Sequence, residues 1–269
     1  MKIECISCQK MFTELEMAHS HIIPNFVRKR LTGELTSNGN KKYRFKWVNR
    51  RDLPLQDLPK PRLMCQSCDH KLGHLVEEKA VSLLLRHDVD DPKSWDILPI
   101  KNTSIDHINS ESIAVRKYRY PNAETETLSK LSLSIAWRAL HSMARENMML
   151  SNRFINSERG KLIDKRVREY IFNNEMLSDV LPPYLYYLGP NFSIYLSNKN
   201  NEMPFAWAEL GENDCVLGVG VVFGYWLVLW PLFDSPNYEY FDHLERLEKI
   251  CFAIWFKNIK SDLKLGLSA

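Results

Sequence analysis

The sequence predicts an α+β protein, with a small cysteine-bearing module over residues 1–88 and a mixed domain of helices and antiparallel strands over residues 89–269. Three observations predict it. Paired cysteines bracket a basic N-terminal segment, helical periodicity dominates the middle of the chain, and apolar runs broken by Gly and Pro follow. With 269 residues, 45% hydrophobic and 26% charged, the chain has the composition of a globular protein of one or two domains.

The four N-terminal cysteines form two pairs, Cys5 with Cys8 and Cys65 with Cys68, and each pair has CxxC spacing. Two such knuckles place four thiolates around a tetrahedral Zn²⁺ between a hairpin and the start of a helix. We therefore predict one structural zinc ion in the N-terminal module. The 56 residues between the knuckles exceed what a plain zinc ribbon needs, which indicates an insert.

Periodicity predicts the elements that follow the second knuckle. A helix is predicted from about Cys68 to His87, and the acids and proline of residues 88–92 indicate a domain boundary. Residues 95–120 alternate between polar and apolar, as strands do. A long amphipathic helix is predicted over residues 124–149, and most of its buried stripe consists of Leu128, Leu131, Leu133, Ile135, Trp137, Leu140 and Met143.

A second amphipathic helix is predicted over residues 158–174, strands over about 184–233, and a last helix over 239–260. The apolar positions of the second helix are Leu162, Ile163, Val167 and Ile171. Residues 215–233 are 19 residues without a charge, a length near that of a membrane span. Their valines, aromatics and glycines favour two buried strands joined near Gly224, so we predict no membrane span.

Charge divides the chain into two unequal parts. Residues 1–86 carry 16 basic and 9 acidic residues, whereas the remaining residues carry 20 basic and 24 acidic ones. This asymmetry indicates either a surface that meets a polyanion or a solvated basic loop. The candidate nucleic-acid-binding residues are Arg28, Lys29, Arg30, Lys41, Lys42, Arg44, Arg50 and Arg51. Six cysteines are too few for a disulfide scaffold, and the N-terminus lacks an apolar stretch, so a cytoplasmic location is predicted.

The insert opens with Met17-Ala-His-Ser-His-Ile-Ile-Pro24, and the second knuckle continues as Cys68-Asp69-His70-Lys71. In this order, CISC, SHIIP and CQSCDHK resemble the zinc-stabilised branch of the HNH (ββα-metal, His-Me finger) endonucleases over roughly residues 3–80. The resemblance implies a metal-dependent enzyme that hydrolyses DNA phosphodiester bonds, with RNA as the alternative substrate. Bacterial proteins similar in this segment and in the later SIAWRAL helix occur near defence functions, which implies a role in anti-phage defence.

The resemblance assigns chemical roles to individual residues. His21 matches the general base that deprotonates the attacking water, since an imidazole titrates near neutral pH. Asp69 matches a ligand of the catalytic Mg²⁺ or Mn²⁺, and His70 beside it is a candidate ligand for a softer metal. The position before His21 is Ser20 instead of the usual Asp, Glu or His. In an extended strand His19 shares a face with His21, so His19 is the alternative base.

A rival prediction is a catalytically degenerate zinc module that binds nucleic acid or a partner protein, and Ser20 favours this rival. Residues 89–269 are predicted to serve sensing, recruitment or assembly, through a protein partner or self-association. Asp69 has a second interpretation as a helix N-cap. Two pairs of residues are predicted to have no chemical role: His74 and Glu77 at the surface, and Trp137 and Arg138 in the packed core.

Overall fold

The computed structural model of this chain confirms the predicted α+β class. It describes residues 2–27, 46–47, 50–54, 60–84, 103–107, 114–118, 122–177, 180–187, 205–212, 215–223 and 226–232, and the helical residues 247 and 251. Helices pack against antiparallel sheets throughout these ranges. The predicted domain boundary at 88–92 and most of the predicted last helix lie outside the described residues.

Two short hairpins belong to the N-terminal segment. Strands β1 (Lys2–Glu4) and β2 (Met11–Thr13) form the first, and β3 (Lys46–Trp47) and β4 (Arg50–Pro54) form the second. A β-bridge joins Met17 to Cys65, so the chain returns beside the first hairpin after the insert.

Helix α1 begins directly after this bridge and confirms the helix predicted after the second knuckle. It comprises an α-helical part (Gln66–Leu72), a π-helical turn (Gly73–Glu77) and a second α-helical part (Glu78–Leu84). Its buried residues Leu72, Val76 and Ala80 are four apart, which is the spacing of a single helix face. That face packs toward the helices of the C-terminal region.

In the described part of the chain, six strands form the main sheet, and every neighbouring pair is antiparallel. Their order across the sheet is β5–β6–β7–β10–β9–β8. The strands are β5 (Thr103–His107), β6 (Ala114–Tyr118), β7 (Tyr184–Tyr187), β8 (Phe205–Glu212), β9 (Cys215–Phe223) and β10 (Trp226–Pro231).

The uncharged stretch over 215–233 forms buried strands, as predicted. Strands β9 and β10 pair antiparallel across the predicted turn, with Trp226 opposite Phe223, and β10 is buried along its whole length. No helix within the described ranges is long and apolar enough to cross a membrane. Alternation is absent from β10 because both faces of this central strand are covered.

Three helices follow the first two strands of the sheet: α2 (Asn122–Arg145), α3 (Met149–Asn156) and α4 (Glu158–Asn173). The start of α4 is capped by Ser157, whose hydroxyl accepts a hydrogen bond from the Gly160 amide at 3.0 Å. Its end is set by Asn174, which adopts the left-handed conformation at φ 61°. In α4, Ile163, Val167 and Ile171 are buried as predicted, whereas Leu162 is exposed.

Helix α2 is buried more completely than the predicted amphipathic pattern indicates. All seven predicted stripe residues are buried, but so are the polar residues Ser132, Ser134, Arg138, His141 and Ser142. The helix is enclosed because it packs on β8, β9 and β10 on one side and on α1 and α4 on another. A helix covered all round must pair its polar side chains internally.

These polar groups tie α2 to its neighbours. Asp164 of α4 accepts hydrogen bonds from Trp137 Nε1 at 2.7 Å and from His141 Nε2 at 2.8 Å, and it also pairs with Arg168. Burial opposes ionisation of Asp164, but these partners outweigh it and lower the pKa of the carboxyl. Trp137 thus packs as predicted. The described N-terminal segment and the C-terminal helices share one continuous hydrophobic core.

Candidate metal centre

The first knuckle is shaped by a tight turn after β1. Residues 6–8 form the turn, and Gln9 adopts a left-handed conformation with φ 58°. The Gln9 amide donates to the Cys5 carbonyl at 2.8 Å, and the Cys5 amide donates to the Lys10 carbonyl at 3.0 Å. These bonds fold the chain back on itself, so that Cys5 and Cys8 face the same side.

The second knuckle begins helix α1. Cys65 is the N-cap residue, with an extended backbone, and Cys68 follows in the first helical turn. The Cys65 amide donates to Cys5 Sγ at 3.3 Å, which joins the two knuckles directly. The hairpin and the helix start that the sequence predicts as the two halves of the site are therefore adjacent in space.

The four cysteines form one cluster that can hold a metal ion. Each of their Sγ atoms lies within 4.8 Å of the others, and Cys5 and Cys65 are buried while Cys8 and Cys68 are half-buried. Four thiolates at about 2.3 Å from a tetrahedral Zn²⁺ would be about 3.8 Å apart, so a small contraction closes the site around the ion. Among the described residues, no other group of three or more His, Cys, Asp or Glu side chains converges in this way.

The pKa values of the clustered thiols favour the binding of a cation. Burial raises the pKa of the Cys5 thiol, and burial together with the neighbouring thiols raises that of Cys68 to about 12. Burial also opposes ionisation of Cys65, but hydrogen bonds from the Ser67 hydroxyl and the Cys68 amide lower its pKa to about 7. The Cys65 thiolate therefore forms readily, whereas Cys5 and Cys68 resist a further negative charge. A bound dication lowers that resistance, because its two positive charges attract every thiolate of the cluster and offset half of their total negative charge.

A second polar contact involves the main chain of His21, which lies in the chain segment after the Met17–Cys65 bridge. Residues 18–21 form no strand, so the extended strand expected for His19 and His21 is not observed. The carbonyl of His21 accepts a hydrogen bond from Arg138 of α2, whose guanidinium also pairs with Glu77 Oε1 at 2.9 Å. Arg138 therefore joins the His21 segment to the π-helical turn of α1.

Glu77 is the residue that sequence reasoning missed. Its predicted surface position is wrong, since its side chain is only 19% exposed and pairs with the fully buried Arg138. Burial raises the pKa of the Glu77 carboxyl, the Arg138 guanidinium opposes this shift, and the charge of Asp69 adds to it. The sequence signal was Arg138 itself, because a charge within an apolar helix needs a buried partner.

The other residues of the SHIIP segment have different surroundings. His19 is exposed, and its Nε2 lies 3.4 Å from the guanidinium of Arg62, which pairs in turn with Glu14. Ser20 is completely buried, and its hydroxyl has no hydrogen-bond partner among the described residues. The structure therefore separates His19, beside Arg62, from the His21 carbonyl, beside Arg138.

The predicted ligands on α1 lie in its first turn. Asp69 is half-buried, and its amide donates to the Cys65 carbonyl at 3.0 Å as part of the helix. The N-cap position belongs to Cys65, so the interpretation of Asp69 as an N-cap is wrong. His70 is exposed and lies beside His74 rather than in the cysteine cluster.

The candidate nucleic-acid-binding residues are only partly described. Arg50 and Arg51 lie in strand β4, which pairs with β3. Those outside the described residues are Arg28, Lys29, Arg30, Lys41, Lys42 and Arg44.

The fold and this site define the class of the molecule: an α+β protein with a four-cysteine cluster that can hold a structural metal ion. Comparison with protein-family models, with curated proteins and with solved structures finds no match for this chain.

Proposed function

We propose that this chain is a metal-dependent nuclease of the HNH type, which hydrolyses DNA phosphodiester bonds and holds Zn²⁺ in its cysteine cluster. The observation that carries the proposal is the contact of Arg138 with both the His21 carbonyl and the Glu77 carboxylate. It places an imidazole-bearing segment beside the helix that carries Asp69 and Glu77. We further propose that this activity serves anti-phage defence.

Each residue of the proposed site has a separate role in phosphodiester hydrolysis. His21 accepts a proton from the water that attacks the phosphorus atom, and the bond from phosphorus to the leaving oxygen then breaks. Asp69 and Glu77 offer carboxylate oxygens, the ligands that Mg²⁺ and Mn²⁺ prefer. A divalent metal held by these carboxylates would supply positive charge to stabilise the leaving oxygen. Arg138 acts only by positioning, since it is 1% exposed and cannot reach a substrate.

The rival function, a zinc module that binds nucleic acid without cutting it, is favoured by one observation. Ser20 stands where a metal-binding side chain is expected, and it is completely buried. A buried hydroxyl offers no ligand to a metal at the surface. The rival predicts DNA binding that persists while no metal supports cleavage.

Asp69→Asn tests the proposed site. We expect plasmid nicking by wild-type protein with Mg²⁺ or Mn²⁺, and a loss of about 10²-fold or more in the variant, because a neutral amide binds a hard cation less well. Glu158→Gln is the control, since Glu158 is an exposed carboxylate of α4 that takes no part in the proposed site. Equal losses in both variants, or none in either, would contradict the role of Asp69.

The basic insert is expected to make DNA affinity strongly dependent on salt. Each phosphate contact releases condensed counterions, so the logarithm of the affinity falls with the logarithm of the salt concentration. Replacing Arg28, Lys29 and Arg30 by Glu should weaken binding and reduce this slope by roughly one per lost contact. Fluorescence anisotropy with a labelled duplex measures both quantities. Absence of binding at low ionic strength would exclude the nucleic-acid interpretation.

A further inference from the structure

Two exposed histidines of helix α1 approach each other closely without belonging to the cysteine cluster. His70 and His74 are one helical turn apart, and their Nε2 atoms are separated by 2.9 Å. Their rings meet edge to face, with centroids 4.2 Å apart and planes at 85°. Both side chains are open to solvent, so no packing against the core explains the approach.

From this geometry we propose that His70 and His74 form a second metal site, which binds a divalent transition-metal ion such as Zn²⁺ or Ni²⁺. Imidazole nitrogens bind such ions at about 2.0–2.1 Å, which places two nitrogens about 2.9 Å apart at a right angle and about 3.3 Å apart at a tetrahedral angle. The observed separation of 2.9 Å fits the first geometry and lies a few tenths of an ångström from the second.

Glu78 orients the His74 ring for metal binding. Its Oε1 lies 2.8 Å from His74 Nδ1, one turn further along the helix. A carboxylate accepts the proton of Nδ1, which leaves the Nε2 lone pair of a neutral His74 directed at His70. A carboxylate that holds the far nitrogen of a ligating histidine is a common feature of metal sites, because it orients the ring and makes it more basic.

The π-helical turn contributes to the alignment. In a regular α-helix of 3.6 residues per turn, side chains four residues apart are offset by about 40° around the axis. The turn over Gly73–Glu77 is wider, and it begins between the two histidines. Widening reduces the offset, so that His74 lies more nearly in line with His70. Such π-turns occur frequently at functional sites.

The donor set determines the class of ion. Imidazole binds Zn²⁺, Cu²⁺ and Ni²⁺ well, whereas Mg²⁺ and Ca²⁺ prefer oxygen ligands. Two protein ligands leave the remaining coordination positions to water or to an oxygen of a bound anion, so the site is open, unlike the closed cysteine cluster. The inference does not rest on the proposed nuclease activity.

Calorimetric titration with Ni²⁺ tests the site in full-length protein already loaded with one Zn²⁺ per chain. We expect one further equivalent to bind without release of that zinc, which is followed in the same titration with a chromophoric chelator. His70→Ala and His74→Ala should abolish this binding, and Glu78→Gln should weaken it about 10- to 100-fold. Ni²⁺ should also raise the unfolding temperature of wild-type protein but not that of His74→Ala.

Lys79→Ala is the control, since Lys79 is an exposed residue of the same helix that donates no ligand to the site. It should bind Ni²⁺ as wild type does, and circular dichroism should show equal helix content in all variants. Three results would overturn the proposal: no additional binding by wild type, binding that persists in both histidine variants, or Mg²⁺ binding at the same site with similar affinity. If wild-type protein binds no additional Ni²⁺, the two imidazoles form only a hydrogen-bonded pair.

Discussion

Replacement of His21 by alanine is expected to abolish metal-dependent DNA cleavage, with a loss of about 10²- to 10⁴-fold in rate. A general base lowers the barrier of the chemical step and contributes little to binding of the ground state. DNA affinity and zinc content should therefore remain near those of wild type. Plasmid nicking, anisotropy and elemental analysis on the same preparation measure the three quantities.

The His21→Ala variant removes the imidazole without removing the main-chain contact that attaches this segment to α2. Arg138 binds the main-chain carbonyl of His21, which alanine retains, so the segment keeps its attachment to α2 and α1. His19→Ala tests the alternative base. A mild defect supports His21, whereas a complete loss beside an active His21→Ala would reverse the assignment. Cleavage that survives in both variants would locate the chemistry elsewhere, and a wild type inactive with every metal would support the binding module.

Replacement of Cys65 by serine is expected to remove the zinc ion and to unfold the N-terminal segment. The free energy of structural zinc binding, about 10–16 kcal/mol in zinc-finger peptides, is also folding free energy. Serine preserves the N-cap of α1, because its hydroxyl caps a helix well, so the loss reports the missing thiolate and not a lost cap. Elemental analysis measures the metal, and limited proteolysis maps the unfolded segment.

Cys251→Ser is the control, since Cys251 is buried but lies outside the cluster. It should keep one zinc ion per chain even where its stability is lower. A zinc chelator should reproduce the proteolysis pattern of Cys65→Ser in wild-type protein. Soluble, folded wild-type protein that contains no zinc would contradict the assignment of the metal.

The metal cluster was the most predictable part of the molecule. CxxC spacing is local, and a tight turn in one knuckle and a helix start in the other direct each pair of thiols to one side. The sequence therefore identifies all four cysteines of the cluster, although Cys5 and Cys65 are 60 residues apart. Helices α1, α2 and α4 were predictable for a related reason, because a repeat of 3.6 residues and the caps Ser157 and Asn174 are also local features.

The surroundings of His21 were not predictable in the same way. Arg138 is 117 residues from His21 along the chain, and no spacing rule relates them. The apolar pattern of α2 predicts which of its apolar residues are buried. The burial of its polar residues depends on the packing of α1, α4 and the main sheet around the helix.

The sequence by itself thus determined the α+β class, the four cysteines of the cluster and the approximate extent of α1, α2 and α4, but it did not indicate α3. Only the tertiary structure decided that Glu77 turns inward to Arg138, that Ser20 is buried, and that His70 lies against His74. The physical reason is the range of the interactions. Turns, caps and periodicity act within a few residues, whereas burial of a charge is tolerated only where a partner from another element reaches it.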